Sequence, residues 1–377
     1  MADLGLPLTT ADSRPAGWLN RLVSSRDFQR WAARFPLTRR IVRREGEAMF
    51  DLVAGFCHSQ ILQALVAFDI PADLLAHSRS TATLAHRAQV PPDRMAVLLN
   101  GGAAIGLLAQ RRDGTWTLTR RGAALATVPG LGDMIRHHAV LYRDLADPVA
   151  FFRGETTTEL ADFWPYVFGA GAAQDPDTAA RYSRLMAESQ VLVAEDTLAA
   201  IDLSSSRHLM DVGGGTGAFL SAVAVAAPHL VLTLFDLPAV APQAQARFVA
   251  EGIAPRVTIA PGSFRDDPLP TGADTITLVR VLYDHADDTV RALLARVHAA
   301  LPPGGRLIIS EPMTGGAQPE RAGDAYFALY CMAMRTGRAR SASEISALLT
   351  AAGFGRITAP RPARPFVTTV LQTVRLD

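Results

Sequence analysis

The chain has 377 residues, 49% of them hydrophobic, with 37 basic against 36 acidic side chains for a net charge of +1. That length exceeds one ordinary core and predicts two domains, while the near-neutral balance excludes a global field for nucleic acid. All 37 basic residues are Arg, which reads as genomic composition rather than chemistry.

Residues 1–17 are polar and Pro-bearing, lack the charged-then-apolar pattern of an export signal, and are expected to form a disordered arm. Residues 18–47 carry Arg21, Arg26, Arg30, Arg34, Arg39, Arg40, Arg43 and Arg44, interleaved with Trp18, Leu19, Leu22, Phe28, Trp31 and Phe35. Such a stretch fits either a helical face packed on a partner copy or a basic aromatic surface resting on anionic lipid. No run of 18 or more apolar residues is free of charge, so no spanning helix is expected. The expected location is cytoplasmic, at most peripheral on a membrane. Cys57 and Cys331 lie far apart in apolar surroundings and are expected to be buried small hydrophobes, neither disulfide nor metal pair.

From 47 to 76 apolar residues recur at helical spacing: Met49, Val53, Phe56, Ile61 and Leu65. Thr81–Ala88 and Met95–Leu108 follow as helices, and Asp113-Gly114 then turns between two short strands that end at Trp116–Thr119. Helix, helix and hairpin is the winged-helix order. A DNA-reading helix needs base-edge donors, and the second helix offers only Arg94 and Asn100. A DNA-binding regulator therefore stands as the non-enzyme alternative, and no nucleic-acid partner is expected.

Residues 130–205 read as mostly helical, with a bridging helix from about Asp177 to Ile201. The adjacent His137 and His138 lack metal-ligand spacing, and helical neighbours do not share a face; no metal site is expected. Beyond 207 short apolar strands alternate with helices, at His208–Val212, Val231–Phe235, Val257–Ala260, Asp274–Val281 and Arg306–Ser310. That alternation predicts βαβ units and a mostly parallel sheet. Gly353-Phe354 and the tail Phe366–Val374 are expected to close it as an antiparallel edge hairpin.

The strongest motif runs Leu209-Met-Asp211-Val-Gly213-Gly-Gly215-Thr-Gly217. A strand enters a glycine turn and a helix is expected to open at about Thr216, which lets a ligand approach the backbone closely. Asp211 beside that turn suits a cationic amino-acid end better than a diphosphate. The second strand ends in Asp236-Leu237-Pro238, where a carboxylate can accept from ribose hydroxyls. The next leads to Gly262-Ser263-Phe264, with Phe264 placed to cover an adenine.

With Arg306-Leu-Ile-Ile-Ser-Glu311-Pro312, these segments resemble the plant-type and bacterial small-molecule O-methyltransferase family from about residue 48 to the end. The resemblance implies an α/β protein: a Rossmann-like class I methyltransferase domain (171–377) behind an N-terminal helical and winged-helix dimerisation domain (18–170). It also implies S-adenosylmethionine as cofactor, a homodimer, and a substrate pocket beside the linker helices. The cofactor residues it assigns are Asp211, Gly213, Gly215, Gly217, Asp236, Leu237, Ser263, Phe264 and Arg280.

The sequence departs from that family at three positions. Tyr283 stands where a general-base His is usual, Ala339 where its Glu partner is usual, and Ser263 where an adenine-binding Asp is common. Phenols, with a pKa of about 10, call for an orthodox base, so the departures favour an aliphatic alcohol, a carbon acceptor of tetrapyrrole type, or an inactive relative. The segments Phe28–Phe35, Arg43–Glu47 and Phe50–Phe56 with Arg280–Tyr283 resemble the branch of the family that methylates the tertiary 1-hydroxyl of acyclic carotenoids. A polyene substrate implies an apolar pocket, for which the candidates are Phe163, Trp164, Met186, Tyr326, Phe327, Tyr330 and Met334. His285 is the remaining candidate base, with Tyr283 to orient the substrate oxygen.

Overall fold

The computed structural model describes residues 17–163 and 189–377. The described chain divides into two compact units, one running to Ile70 and including His77–Thr119, the other comprising Pro71–Ala76 and Arg120–Asp377. The expected disordered arm lies outside the described residues except for Gly17, and so does the first part of the expected bridging helix, up to residue 188.

The smaller unit contains helices α1 (Trp18–Ser24), α2 (Arg26–Arg34) and α3 (Arg39–Ala67); α4 (Ile70–Ala76) follows at the boundary. Then come α5 (Thr81–Ala88), α6 (Pro92–Ala104) and the antiparallel pair β1 (Leu108–Gln110) and β2 (Trp116–Leu118). The Ser80 hydroxyl accepts from Thr83 N and caps α5. The α6 helix turns Met95, Leu99 and Gly102 inward. A β-carbon on Gly102 would stand 3.0 Å from both Leu65 and Leu108, so glycine is what lets α3 and the hairpin close on it. Arg94 and Asn100 of α6 face outward, and so does Val97, which is 74% exposed.

The exterior of α3 departs from expectation. Met49, Phe50, Leu52, Val53 and Phe56 are all more than half exposed. Cys57 is exposed rather than buried, because it lies on the part of α3 that the chain's own core does not cover. Cys331 is buried as expected, and both thiols are free. By length and composition alone α3 also passes as a membrane-crossing segment, with a mean hydropathy of 1.3 over its most apolar window, contrary to the reading of no such helix. Its C-terminal turn is nevertheless packed in the unit, with Leu65 and Val66 buried.

The larger unit opens with α7 (Arg120–Thr127), α8 (Leu131–Asp144) and α9 (Pro148–Phe152), and helix α10 spans 189–200 in the described chain. The seven-stranded sheet then forms from β3 (His208–Val212), β4 (Val231–Asp236), β5 (Val257–Pro261), β6 (Thr275–Val279), β7 (Arg306–Glu311), β8 (Phe354–Thr358) and β9 (Thr369–Arg375). Their order is β5-β4-β3-β6-β7-β9-β8, parallel except where β9 runs against β7 and β8. The expected parallel sheet and antiparallel closing hairpin are both present.

Helices α11 (Ala218–Ala226), α12 (Ala241–Ala250), α13 (Asp287–Ala300) and α15 (Ala342–Ala351) alternate with these strands, and α14 (Ala328–Met334) precedes α15. Alternate residues serve two cores: Met210, Val212, Ile276, Leu278, Leu307 and Ile309 enter one, while Leu209, Leu232, Leu234, Val279 and Ile308 enter the other. Burial on both faces is why the strands read as nearly continuous apolar runs. Strand order reverses at β3, between β4 and β6, and a ligand crevice is expected outside the carboxyl ends at such a point.

Candidate active site

The β3–α11 turn sits at that reversal. Gly213, Gly215 and Gly217 adopt φ of +72°, +59° and +79°, a region costly for any residue with a β-carbon. Helix α11 starts at Ala218, two residues later than expected, because the left-handed Gly217 still belongs to the turn. Beside Gly215 nothing approaches within 4 Å, so the turn leaves backbone open to a ligand there.

Asp211 lies beneath this turn rather than on its surface. It is fully buried, its Oδ1 accepts from the Thr277 hydroxyl at 2.6 Å, and a β-carbon at Gly214 would stand 2.2 Å from its Oδ2. Oδ2 has no hydrogen-bond partner among the described residues. Burial, with Asp236 nearby, pushes the carboxyl up to about 7 against the pull of Thr277. Asp211 thus braces the turn from below.

Asp236 ends β4 in partial exposure. One oxygen accepts from Gly215 N and the other from Leu237 N, both at 2.6 Å. A carboxylate has about four lone-pair sites, so two remain for hydroxyl donors. Phe264 lies over the same end, with its ring 3.8 Å from where a β-carbon of Gly213 would be and 5.2 Å, edge to face, from the ring of His285. Ser263 is engaged in its own turn: its hydroxyl donates to Asp266 and its backbone N–H to Asp267. An open glycine turn and an under-used carboxylate beside an aromatic ring fit a nucleoside-bearing cationic cofactor.

The loop after β6 carries the other candidates. Arg280 holds φ +58°, takes the Ser310 carbonyl through its backbone N–H, and donates to Ser189 Oγ at 2.7 Å and weakly to Tyr283 Oη at 3.4 Å. Tyr283 is buried against Cys331, Ala339 and Phe327, and burial raises its phenol far above the usual range. His285 is buried as well, and Arg265 Nη2 donates to its Nδ1 at 3.1 Å. Arginine can only donate, so the neutral ring keeps its proton on Nε2 and offers no lone pair to a substrate. Burial and the cations Arg265 and Arg340 depress its pKa to about 4. This geometry suits the wall beside Phe264 and does not suit a general base.

Two residues that hold this loop escaped the sequence reading. Glu311 Oε2 accepts from the backbone of Leu282 at 2.9 Å and, more weakly, of Tyr283. The fully buried Arg340 donates to the carbonyls of Leu282 and His285 and to Asp287. One grips the loop by its N–H groups and the other by its carbonyls. The signal for Arg340 was visible as an arginine next to Ala339, but nothing local says that it points inward.

Of the apolar candidates, Trp164 and Met186 lie outside the described residues, and Phe163 ends a 3₁₀ turn, Leu160–Phe163. Tyr326 and Phe327 sit on a π-helical turn, Arg321–Phe327, that runs into α14. Tyr330 and Met334 follow on α14 and pack with Val140, Leu141, Phe151 and Leu160. The structure therefore brings Tyr283, Tyr326, Phe327 and Tyr330 into one aromatic cluster.

Residues 142–355 match the O-methyltransferase domain family. The chain belongs to this family of S-adenosylmethionine-dependent O-methyltransferases. It is 58% identical over 355 residues to the demethylspheroidene O-methyltransferase of Cereibacter sphaeroides, covering 94% of each chain. Its identity to the protein of the same name from Rhodobacter capsulatus is 55% over 358 residues, 95% of this chain and 89% of that one. The fold matches human N-acetylserotonin methyltransferase, solved with S-adenosylmethionine, at a TM-score of 0.73 and 23% identity over 88% of this chain and 98% of that one.

Proposed function

We propose that the chain transfers a methyl group from S-adenosylmethionine to the tertiary 1-hydroxyl of an acyclic carotenoid of the demethylspheroidene type. The observation that carries this is the 58% identity over 94% of both chains to the Cereibacter enzyme of that name. The aromatic cluster around Tyr326 and Phe327 supports it, as do the departures at Tyr283 and Ala339, which suit an alcohol better than a phenol.

When bound, the cofactor supplies an electrophilic methyl group on a sulfonium. Asp236 and the Leu237 backbone hold the ribose end, the Gly213–Gly217 turn the amino-acid end, and Phe264 with His285 the base. Arg280 fixes the loop, and Tyr283 presents a polar edge towards the substrate oxygen. Alignment and exclusion of water supply most of the rate.

The exposed face of α3 belongs to the same reading. A second copy covers Met49, Phe50, Val53 and Phe56, and the stacked Trp31 and Phe35 with their arginines rest on anionic lipid, at the cytoplasmic face of the membrane that holds the polyene. Co-sedimentation with anionic but not neutral vesicles checks the lipid contact, and light scattering the dimer.

The deciding experiment gives the purified protein methyl-labelled cofactor and a detergent-dispersed 1-hydroxy acyclic carotenoid, with a catechol in parallel. Label in a carotenoid methyl ether is expected. Label in the catechol alone would overturn the substrate assignment.

A further inference from the structure

If neither His285 nor Tyr283 can take the substrate proton, another group must. Alkylating an alcohol oxygen turns its O–H into a strong acid, and a pocket that excludes water has no solvent to receive the proton. The adjacent His137 and His138 of α8 each meet a tyrosine across the unit. His137 Nε2 lies 2.9 Å from Tyr330 Oη and His138 Nε2 2.6 Å from Tyr326 Oη. The tyrosines stand four residues apart, so both rows face α8 together.

The two pairs differ in setting. Tyr330 is 5% exposed and closed in by Val140, Phe151, Leu160 and Met334. Tyr326 keeps partial exposure and lies on the π turn, an irregularity frequent at functional sites. Its ring stands 4.8 Å from Phe327, which in turn faces Tyr283 at 6.5 Å, so it opens towards the loop that ends β6.

We propose that Tyr326 is the catalytic residue that receives the hydroxyl proton of the substrate and that His138 receives the proton of Tyr326. The proposal rests on the chain methylating a hydroxyl oxygen, whichever substrate carries it. As the C–O bond forms and the S–C bond breaks, the substrate O–H passes its proton to Tyr326 Oη. The tyrosine's own proton moves to His138 Nε2. The positive charge that began on sulfur ends on the imidazolium, and the sulfur leaves as a neutral thioether. Burial disfavours the charged ring of His138 beforehand and favours release of the proton afterwards. The relay requires the tautomer with its proton on Nδ1, which leaves Nε2 to accept from Tyr326.

The test uses the full chain and three single variants: Tyr326→Phe, His138→Gln and His137→Gln. Tyr326→Phe and His138→Gln are expected to lower kcat about 100-fold, the scale of general acid–base catalysis, with KM and the affinity for S-adenosylhomocysteine within threefold of wild type. The Tyr326→Phe/His138→Gln double variant should be no slower than either single one, since the two act as a unit. His137→Gln should keep kcat within threefold. Glutamine can accept the tyrosine hydrogen bond but not a proton, so an active His138→Gln enzyme would reduce His138 to positioning Tyr326 and overturn the relay. A second readout needs no turnover: nitrogen NMR of labelled imidazoles in the substrate-free protein should show His138 Nε2 unprotonated, and its signal should shift in Tyr326→Phe. A protonated Nε2 would mean that His138 donates to Tyr326, and would sink the proposal. If the wild type methylates the catechol alone and the variants lose that activity, the carotenoid assignment fails and the relay stands. If the carotenoid is methylated at full rate by Tyr326→Phe, the relay fails and the assignment stands.

Discussion

The proposed cofactor end and the proposed substrate end of the larger unit are put together in different ways. Asp211, Gly213, Gly215, Gly217, Asp236 and Phe264 come from one stretch of chain, delivered by successive strand ends to the point where sheet order reverses. The substrate end draws on α8, the β6 loop, β7 and the segment around α14, and its hydrogen bonds join residues 188 and 193 positions apart. A site built along the chain carries its geometry in short motifs. One built across the chain depends on packing, and its polar residues look idle until the fold is known.

The largest effect expected from this contrast is at Arg340. Replacing it by Leu leaves the carbonyls of Leu282 and His285 without that donor and Asp287 without its buried partner. Asp287 is partly exposed and keeps Arg338, so the main cost is the two buried carbonyls left without a donor, about 1–3 kcal/mol each. At roughly 2–4 °C per kcal/mol for chains of this size, thermal unfolding should move down by about 10 °C. An unchanged melting temperature would mean that the loop stands without its clamp, and that the substrate end is as locally determined as the cofactor end.

Asp236→Ala comes next and probes the other side of the comparison. It removes the acceptor of Gly215 N and Leu237 N together with both remaining lone pairs. Hydrogen bonds to a charged group contribute about 1.5–3 kcal/mol each, so affinity for S-adenosylhomocysteine should fall about 100-fold or more by calorimetry. Tyr326→Phe should leave that affinity alone. Equal losses in both variants would erase the distinction between the ends.

The same contrast explains what could be read in advance. Strand β3 falls on the expected residues, and β4, β5 and β7 differ by one residue at an end, because strands buried on both faces announce themselves as apolar runs between turns. Asp236 and Phe264 were legible because strand order alone places them. Asp211 was found but misplaced, since nothing local says whether a carboxylate lies above or below a turn. His137 and His138 were set aside for lack of metal spacing, a test that is blind to tyrosines nearly two hundred residues away. His285 looked like a base because its loop position was visible and Arg265 at its Nδ1 was not. Cys57 was expected inside because apolar neighbours on a helix signal burial without saying whether the chain itself supplies the cover.

The smallest effect concerns Glu311, and its sign separates packing from catalysis. Burial pushes this carboxyl up to about 7, although Arg340 and the N–H groups of Leu282 and Tyr283 pull it down. In the unfolded chain its pKa returns to about 4.3. Between those values the folded protein holds a proton that the unfolded chain has released, so this group makes stability fall as pH rises, by at most about 1.4 kcal/mol per unit, and the loss levels off above 7. His137 and His285, each depressed to about 4, act oppositely, losing stability as pH falls from 6.5 to 4. The difference between wild type and Glu311→Gln cancels the histidine contribution. Glutamine keeps an oxygen for Leu282 N and never has to ionise, so the melting temperature of the variant relative to wild type should climb from pH 5 to pH 8. A flat difference would show Glu311 ionised throughout, paired by Arg340 strongly enough to outweigh its burial. The loop would then be held by a buried ion pair, and the Arg340→Leu cost would rise above the range given for it.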